Sequence, residues 1–125
     1  MTFRSASPRP RSFTHADRQR LERAIQHYLR DCYKRVTSAR VSECAAFVGW
    51  TVPYLSRIAT EILGMPVLDY MRRSQVAFAV RLLRTTPLPA EEIALRAAFG
   101  SVPTFYRWFR AVEGMTPAAF REVMK

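Results

Sequence analysis

From Thr14 onward apolar residues recur at steps of three and four, the period of amphipathic helices, and no segment alternates as a strand would. Leu21, Ala24, Ile25, Tyr28, Leu29 and Cys32 form the first stripe, behind a Thr14–Asp17 pair with the spacing of a capping box. The stretch from Arg35 to Val41 breaks the pattern. A short helix is expected next, with Ser42 as its N-cap, Cys44, Ala45 and Val48 along it and Gly49 as its stop. Thr51 caps a third helix that tolerates Pro53 in its first turn, carries Leu55, Ile58, Ala59 and Ile62 inward, and ends at Gly64. A long helix is predicted from about Val67 to Leu83, with Leu68, Met71, Val76, Ala79, Val80 and Leu83 apolar, until Pro87-Leu88-Pro89 stops it. Ile93, Ala94 and Ala97 mark a fifth helix. Ser101 caps a sixth, with Phe105, Trp108, Phe109 and Val112 inward and Gly114 at its end, and Thr116-Pro117 opens a last one holding Phe120 and Val123. The expected fold class is all-α, with about seven helices over residues 14–125.

An internal repeat organises these helices. Thr51-Val52-Pro53 returns as Ser101-Val102-Pro103, and at the same offset of 50 Leu55 meets Phe105, Arg57 meets Arg107 and Gly64-Met65 meets Gly114-Met115. Upstream the offset is 49, pairing Ala45 with Ala94, Val48 with Ala97 and Trp50 with Phe99, and Gly100 is the extra residue. A short helix, a tight turn and a capped longer helix therefore occur twice, at about 42–64 and about 89–114, joined by the helix at about 67–83. Each unit is a helix-turn-helix, the arrangement that lays its second helix in a DNA major groove. Seventeen residues of connecting helix span roughly 25 Å, so the two second helices are expected about 34 Å apart, one turn of duplex.

Charge narrows the partner. The 125 residues carry 20 basic and 10 acidic side chains, a net +10, and 18 of the basic ones are Arg, the side chain that forks onto phosphate or guanine. Residues 1–13, rich in Ser, Pro and Arg, read as a basic, mobile arm with Arg4, Arg9 and Arg11. No apolar run approaches the roughly 20 residues of a membrane span, and no apolar signal core follows the first charges, so a cytoplasmic, nucleoid-associated protein is expected. With +7 gathered in residues 1–40, a cationic module for membranes or acidic proteins is the alternative from another class, but it leaves the repeat unexplained.

Subtracting the inward stripes leaves Pro53, Ser56, Arg57 and Thr60 on one outer face of the first unit, and Pro103, Tyr106, Arg107 and Arg110 on that of the second. Arg57 and Arg107 can reach guanine with two hydrogen bonds, and Ser56 and Thr104 can pair with a base edge. Val102 and Pro103 offer only van der Waals contact. Tyr54, Thr60, Arg110 and Arg40 are candidates for the phosphate backbone. Surface pairing of Arg57 with Glu61, one turn on, is the competing role for that arginine. Trp50, Phe99, Trp108 and Phe109 belong to the core rather than to stacking platforms. No catalytic constellation, metal-ligand spacing or phosphate loop is present in the sequence, and Cys32 and Cys44 read as core thiols. Neither enzyme activity nor a cofactor or metal is expected.

These residues resemble a known family. Ala45, Gly49, Thr51, Tyr54-Leu55-Ser56-Arg57-Ile58, Gly64-Met65 and Tyr70 are similar to the first helix-turn-helix of AraC/XylS-type transcription regulators. Leu82-Leu83, Ile93-Ala94, Phe99, Phe105, Arg107, Phe109, Gly114-Met115-Thr116-Pro117 and Phe120-Arg121 resemble the second unit and its signature. The resemblance covers about residues 17–125. It implies a bacterial activator that binds double-stranded DNA as a monomer across two major-groove segments and recruits RNA polymerase. Base contacts would come from Pro53, Ser56 and Arg57 and from Val102, Pro103, Thr104, Tyr106 and Arg107. Ala59, Gln75 and Ala98 depart from the usual Phe, Arg and Gly. A short stand-alone member is expected, the alternative being the DNA-binding part of a longer, ligand-sensing regulator.

Overall fold

The computed structural model describes residues 13–125. They form seven helices and no strand: α1 (His15–Arg35), α2 (Val41–Val48), α3 (Val52–Leu63), α4 (Val67–Thr85), α5 (Ala90–Arg96), α6 (Val102–Glu113) and α7 (Pro117–Val123). The all-α expectation holds, with α2–α3 and α5–α6 on either side of α4. The expected basic arm, with Arg4, Arg9 and Arg11, lies outside the described residues except for Phe13, which is half-buried against the first core cluster.

Helix ends follow the local chemistry. Asp17 N–H donates to Thr14 Oγ1 at 3.1 Å and Thr14 N–H donates to Asp17 Oδ2 at 2.9 Å, completing the capping box. Thr51, Ser101 and Thr116 cap α3, α6 and α7 through their hydroxyls. The start of α2 is corrected: Arg40 is the N-cap, without a side-chain cap, and Ser42 lies inside the first turn. Tyr28 anchors this end instead, its Oη accepting from Arg40 N–H at 2.9 Å and donating to Glu43 Oε1 at 3.1 Å. Helix α4 runs two residues beyond Leu83, and the Thr85 and Thr86 hydroxyls donate to the Arg81 and Leu82 carbonyls at its end.

The repeat is present at the level of single hydrogen bonds. In the first turn, Gly49 N–H donates to Ala46 O and Trp50 N–H to Ala45 O; in the second, Ala98 N–H donates to Leu95 O and Phe99 N–H to Ala94 O. Gly49 has φ +85°, and its counterpart Ala98 adopts φ +65°. The left-handed region costs a non-glycine residue about 1–2 kcal/mol, so something must hold Ala98 there.

Three contacts do so. The buried core divides into a first cluster around α1, α2, α3 and the start of α4, and a second around the rest of α4 with α5, α6 and α7. Ala98 belongs by chain position to the second unit, but its side chain is fully buried in the first cluster. Its carbonyl accepts from Ala39 N–H at 2.9 Å and from Gln75 Nε2 at 2.8 Å. Gln75, completely buried on α4 between the clusters, also donates to Ala97 O at 2.9 Å and accepts from Arg72 Nη1 at 3.2 Å. Beside this junction Gly100 has φ +80°, and a Cβ there would collide with the Ser38 side chain. The far end of the second unit is closed by Arg121, which donates to the carbonyls of Leu83, Thr86 and Leu88 at 2.6–3.4 Å.

Replacing Gln75 by Leu keeps the volume apolar but strands the Ala97 carbonyl. We expect a loss of about 1–3 kcal/mol, the cost of a buried unpaired acceptor. A urea midpoint equal to that of the parent would show that the amide is dispensable.

Candidate nucleic-acid interface

Helices α3 and α6 are the second helices of their units. Each is 12 residues long, is capped by a hydroxyl, carries Pro at its second position and ends on a left-handed glycine. Their buried positions are Leu55, Ile58, Ala59, Ile62 and Leu63 in one and Phe105 and Phe109 in the other. The remaining face looks outward. Pro53, Arg57 and Thr60 are exposed with Ser56 half-exposed beside them, while Pro103, Arg107 and Arg110 are exposed on α6. Val102 and Tyr106 are half-buried against the second cluster, which leaves their outer edges accessible.

Among the described residues neither Arg57 nor Arg107 enters an ion pair, so the Glu61 alternative does not capture Arg57. The Arg57 guanidinium instead lies 5.2 Å from the centroid of the Tyr54 ring. That ring packs edge-on to Trp50 at 4.9 Å and rests against the first cluster. The Tyr54 hydroxyl is enclosed and has no hydrogen-bond partner. Tyr54 therefore presents a ring face to Arg57 and not a hydroxyl to solvent. The Thr60 hydroxyl donates to Ser56 O at 2.9 Å, and Ser101 Oγ donates to Thr104 Oγ1 at 2.9 Å, leaving the Thr104 proton available. Arg40, exposed at the N-terminus of α2, is fixed through its backbone by Tyr28.

A cation outside the expected set stands beside Arg107. Arg72, half-buried on α4, lies over the Phe99 ring at 5.6 Å, and its Nε is enclosed without a partner. Burial first, and then the positive charge of Arg107, hold its pKa below the usual guanidinium value. Periodicity could not single it out, because Arg72 and Arg73 occupy adjacent polar positions of one helix.

Aromatic residues expected in the core are placed there. Phe99 and Phe109 are buried, and Trp50 and Trp108 are half-buried against the first and second clusters. Cys32 and Cys44 are buried free thiols, and burial pushes the Cys44 thiol up to about 12. The described residues contain no group of metal-binding side chains, and none of their helices is long and apolar enough to cross a membrane.

A family model described as a helix-turn-helix domain matches residues 44–122, from the middle of α2 into α7. The chain belongs to the AraC-type helix-turn-helix family. It is 35% identical over 81 residues to the HTH-type transcriptional activator AarP of Providencia stuartii, covering 65% of this chain and 60% of that protein. It is 34% identical over 77 residues to the F1 operon positive regulatory protein of Yersinia pestis, covering 62% of this chain and 26% of that one. The match thus spans less than two thirds of either relative. Among solved structures, the C-terminal domain of the response regulator yesN from Fusobacterium nucleatum is 27% identical with a TM-score of 0.71, over 82% of this chain and 98% of that one. The DNA-binding domain of AdpA, determined in complex with a target DNA, is 25% identical with a TM-score of 0.72, over 82% and 90% of the two chains.

The enclosed hydroxyl makes this AraC-type domain testable at one atom. Tyr54→Phe removes an unpaired buried oxygen and keeps the ring beneath Arg57, so stability should stay level or rise by up to about 1 kcal/mol. A lower urea midpoint would show that the hydroxyl has a partner.

Proposed function

We propose that the chain is a sequence-specific DNA-binding transcription regulator, an activator, in which one monomer reads two adjacent major-groove segments of double-stranded DNA through α3 and α6. The carrying observation is the pair of unpaired, exposed arginines, Arg57 and Arg107, at the same position of two equivalent helices. The DNA-bound AdpA domain and the activator AarP support the reading by likeness. Both helices belong to one chain, so a single copy suffices for two contacts. Recruitment of RNA polymerase and a cytoplasmic, nucleoid-associated location complete the proposal; nothing in it requires enzymatic chemistry.

Within this reading the two units differ. Arg57 is steadied by the Tyr54 ring and has Ser56 beside it, a polar group that can meet a base edge. Pro53 adds shape. On α6, Val102 and Pro103 offer only apolar contact, which leaves Thr104 and Tyr106 to discriminate. Arg72 places a second positive charge close to Arg107, and a backbone phosphate would satisfy both. Arg110, Arg40, Thr60 and Tyr54 remain the proposed backbone-side set, with Tyr54 acting through its ring.

Arg57→Ala should therefore weaken binding by about 1–3 kcal/mol and relax base preference in its half-site, as loss of a bidentate guanine contact does. Arg107→Ala should weaken binding with little change of preference, by an amount that shrinks at high salt. Affinities of both variants across single-base changes of a selected site, at two salt concentrations, measure this. The assignment is overturned if Arg107→Ala erases preference while Arg57→Ala preserves it.

A further inference from the structure

The side of α4 opposite Arg72 carries a second group of cations. Arg72 leans toward Phe99 and Arg107. Arg81 follows nine residues later, about two and a half turns at 3.6 residues per turn, so it leaves α4 on the opposite side. There α1 and α4 border a half-open cavity of about 540 Å³. Arg30 and Lys34 from α1 and Arg81 from α4 line it, all three exposed, and no carboxylate does. None of the three enters an ion pair among the described residues.

The apolar wall is equally defined. Tyr33 and Phe78 stack with centroids 4.0 Å apart and planes within 4°. Their inner faces cover each other, and Arg81 lies 5.4 Å over Phe78, so a cavity that touches both rings meets their shared edge. Ring edges carry partial positive charge and favour the π-face of a planar group. Burial raises the Tyr33 pKa, so its hydroxyl stays protonated. Gln26 spends its amide nitrogen on Tyr70 Oη at 3.1 Å and Ser74 Oγ at 2.8 Å, which leaves its carbonyl to accept from a ligand amino or hydroxyl group. Three unpaired cations match a diphosphate, whereas a single carboxylate would leave two of them unsatisfied.

We propose that the α1–α4 cavity binds a nucleoside diphosphate, with Arg30, Lys34 and Arg81 on the phosphates, the Tyr33–Phe78 edge against the base and the Gln26 carbonyl accepting from the nucleoside. The site is separate from the DNA-reading surface and does not depend on it. Its lining comes from α1 and α4, so occupancy should raise the stability of the folded chain toward denaturant.

Calorimetric titration of the full chain with ADP, inorganic pyrophosphate and adenosine tests it. ADP should bind one to one, at least about tenfold more tightly than pyrophosphate, and adenosine should not saturate. The exposed double variant Lys34→Gln/Arg81→Gln, checked for unchanged helicity, should lose at least about tenfold in ADP affinity, while Arg57→Ala binds ADP as the parent does. Saturation with duplex DNA should leave ADP binding unaltered. Equal affinity for pyrophosphate and ADP, no ADP binding, insensitivity to the double variant, or displacement of ADP by DNA would each overturn the proposal.

Discussion

The side-chain amide of Gln75 fixes how the two halves of the chain sit together. Completely buried on α4 between two apolar clusters, it donates to Ala97 and Ala98 and accepts from Arg72. The Ala98 carbonyl also takes the amide of Ala39, from the α1–α2 link, while its methyl fills a place in the first cluster. One turn of the second unit is thereby bonded to the first unit and to the helix between them. The left-handed strain of Ala98 is held by these contacts, and α6 starts four residues further on, so its direction follows from the same junction.

This arrangement lets α4 hold α3 and α6 in a fixed relation. Each unit contributes only part of a core, and α4 serves both. The first cluster supports α3 through Leu55, Ile58, Ala59, Ile62 and Leu63, the second supports α6 through Phe105 and Phe109. With the inner faces committed, charge collects outside. Arg57 and Arg107 stand exposed on α3 and α6, Arg72 lies close to Arg107, and Arg30, Lys34 and Arg81 line the α1–α4 cavity. Among the described residues the cations thus fall into separate groups, with Arg72 and Arg81 leaving α4 on opposite sides.

Much of this was legible in the sequence because helix caps and stripes are local. The hydroxyl caps at Thr14, Thr51, Ser101 and Thr116, the glycine stops and the repeat at offsets of 49 and 50 are all present in the fold. What escaped was long-range. Ser42 looked like a cap, but Tyr28, twelve residues before Arg40, sets the start of α2. Gln75 stands out in the sequence only as a departure from the usual Arg, because its two carbonyl partners lie over 20 positions away. The Tyr54 hydroxyl and the Arg72 guanidinium depend on packing that periodicity does not encode.

A rigid monomer that grips both half-sites is sensitive to the spacing between them. Inserting about 5 or about 10 base pairs between the two parts of a selected site changes their separation by roughly half a turn or a whole turn of duplex. A single chain whose recognition helices are locked through the Gln75 junction should lose bipartite affinity with both insertions, down to the level of one unit. Recovery of affinity at the full-turn insertion would contradict the account, because only flexibly linked units or two separate chains can follow the half-sites one turn apart.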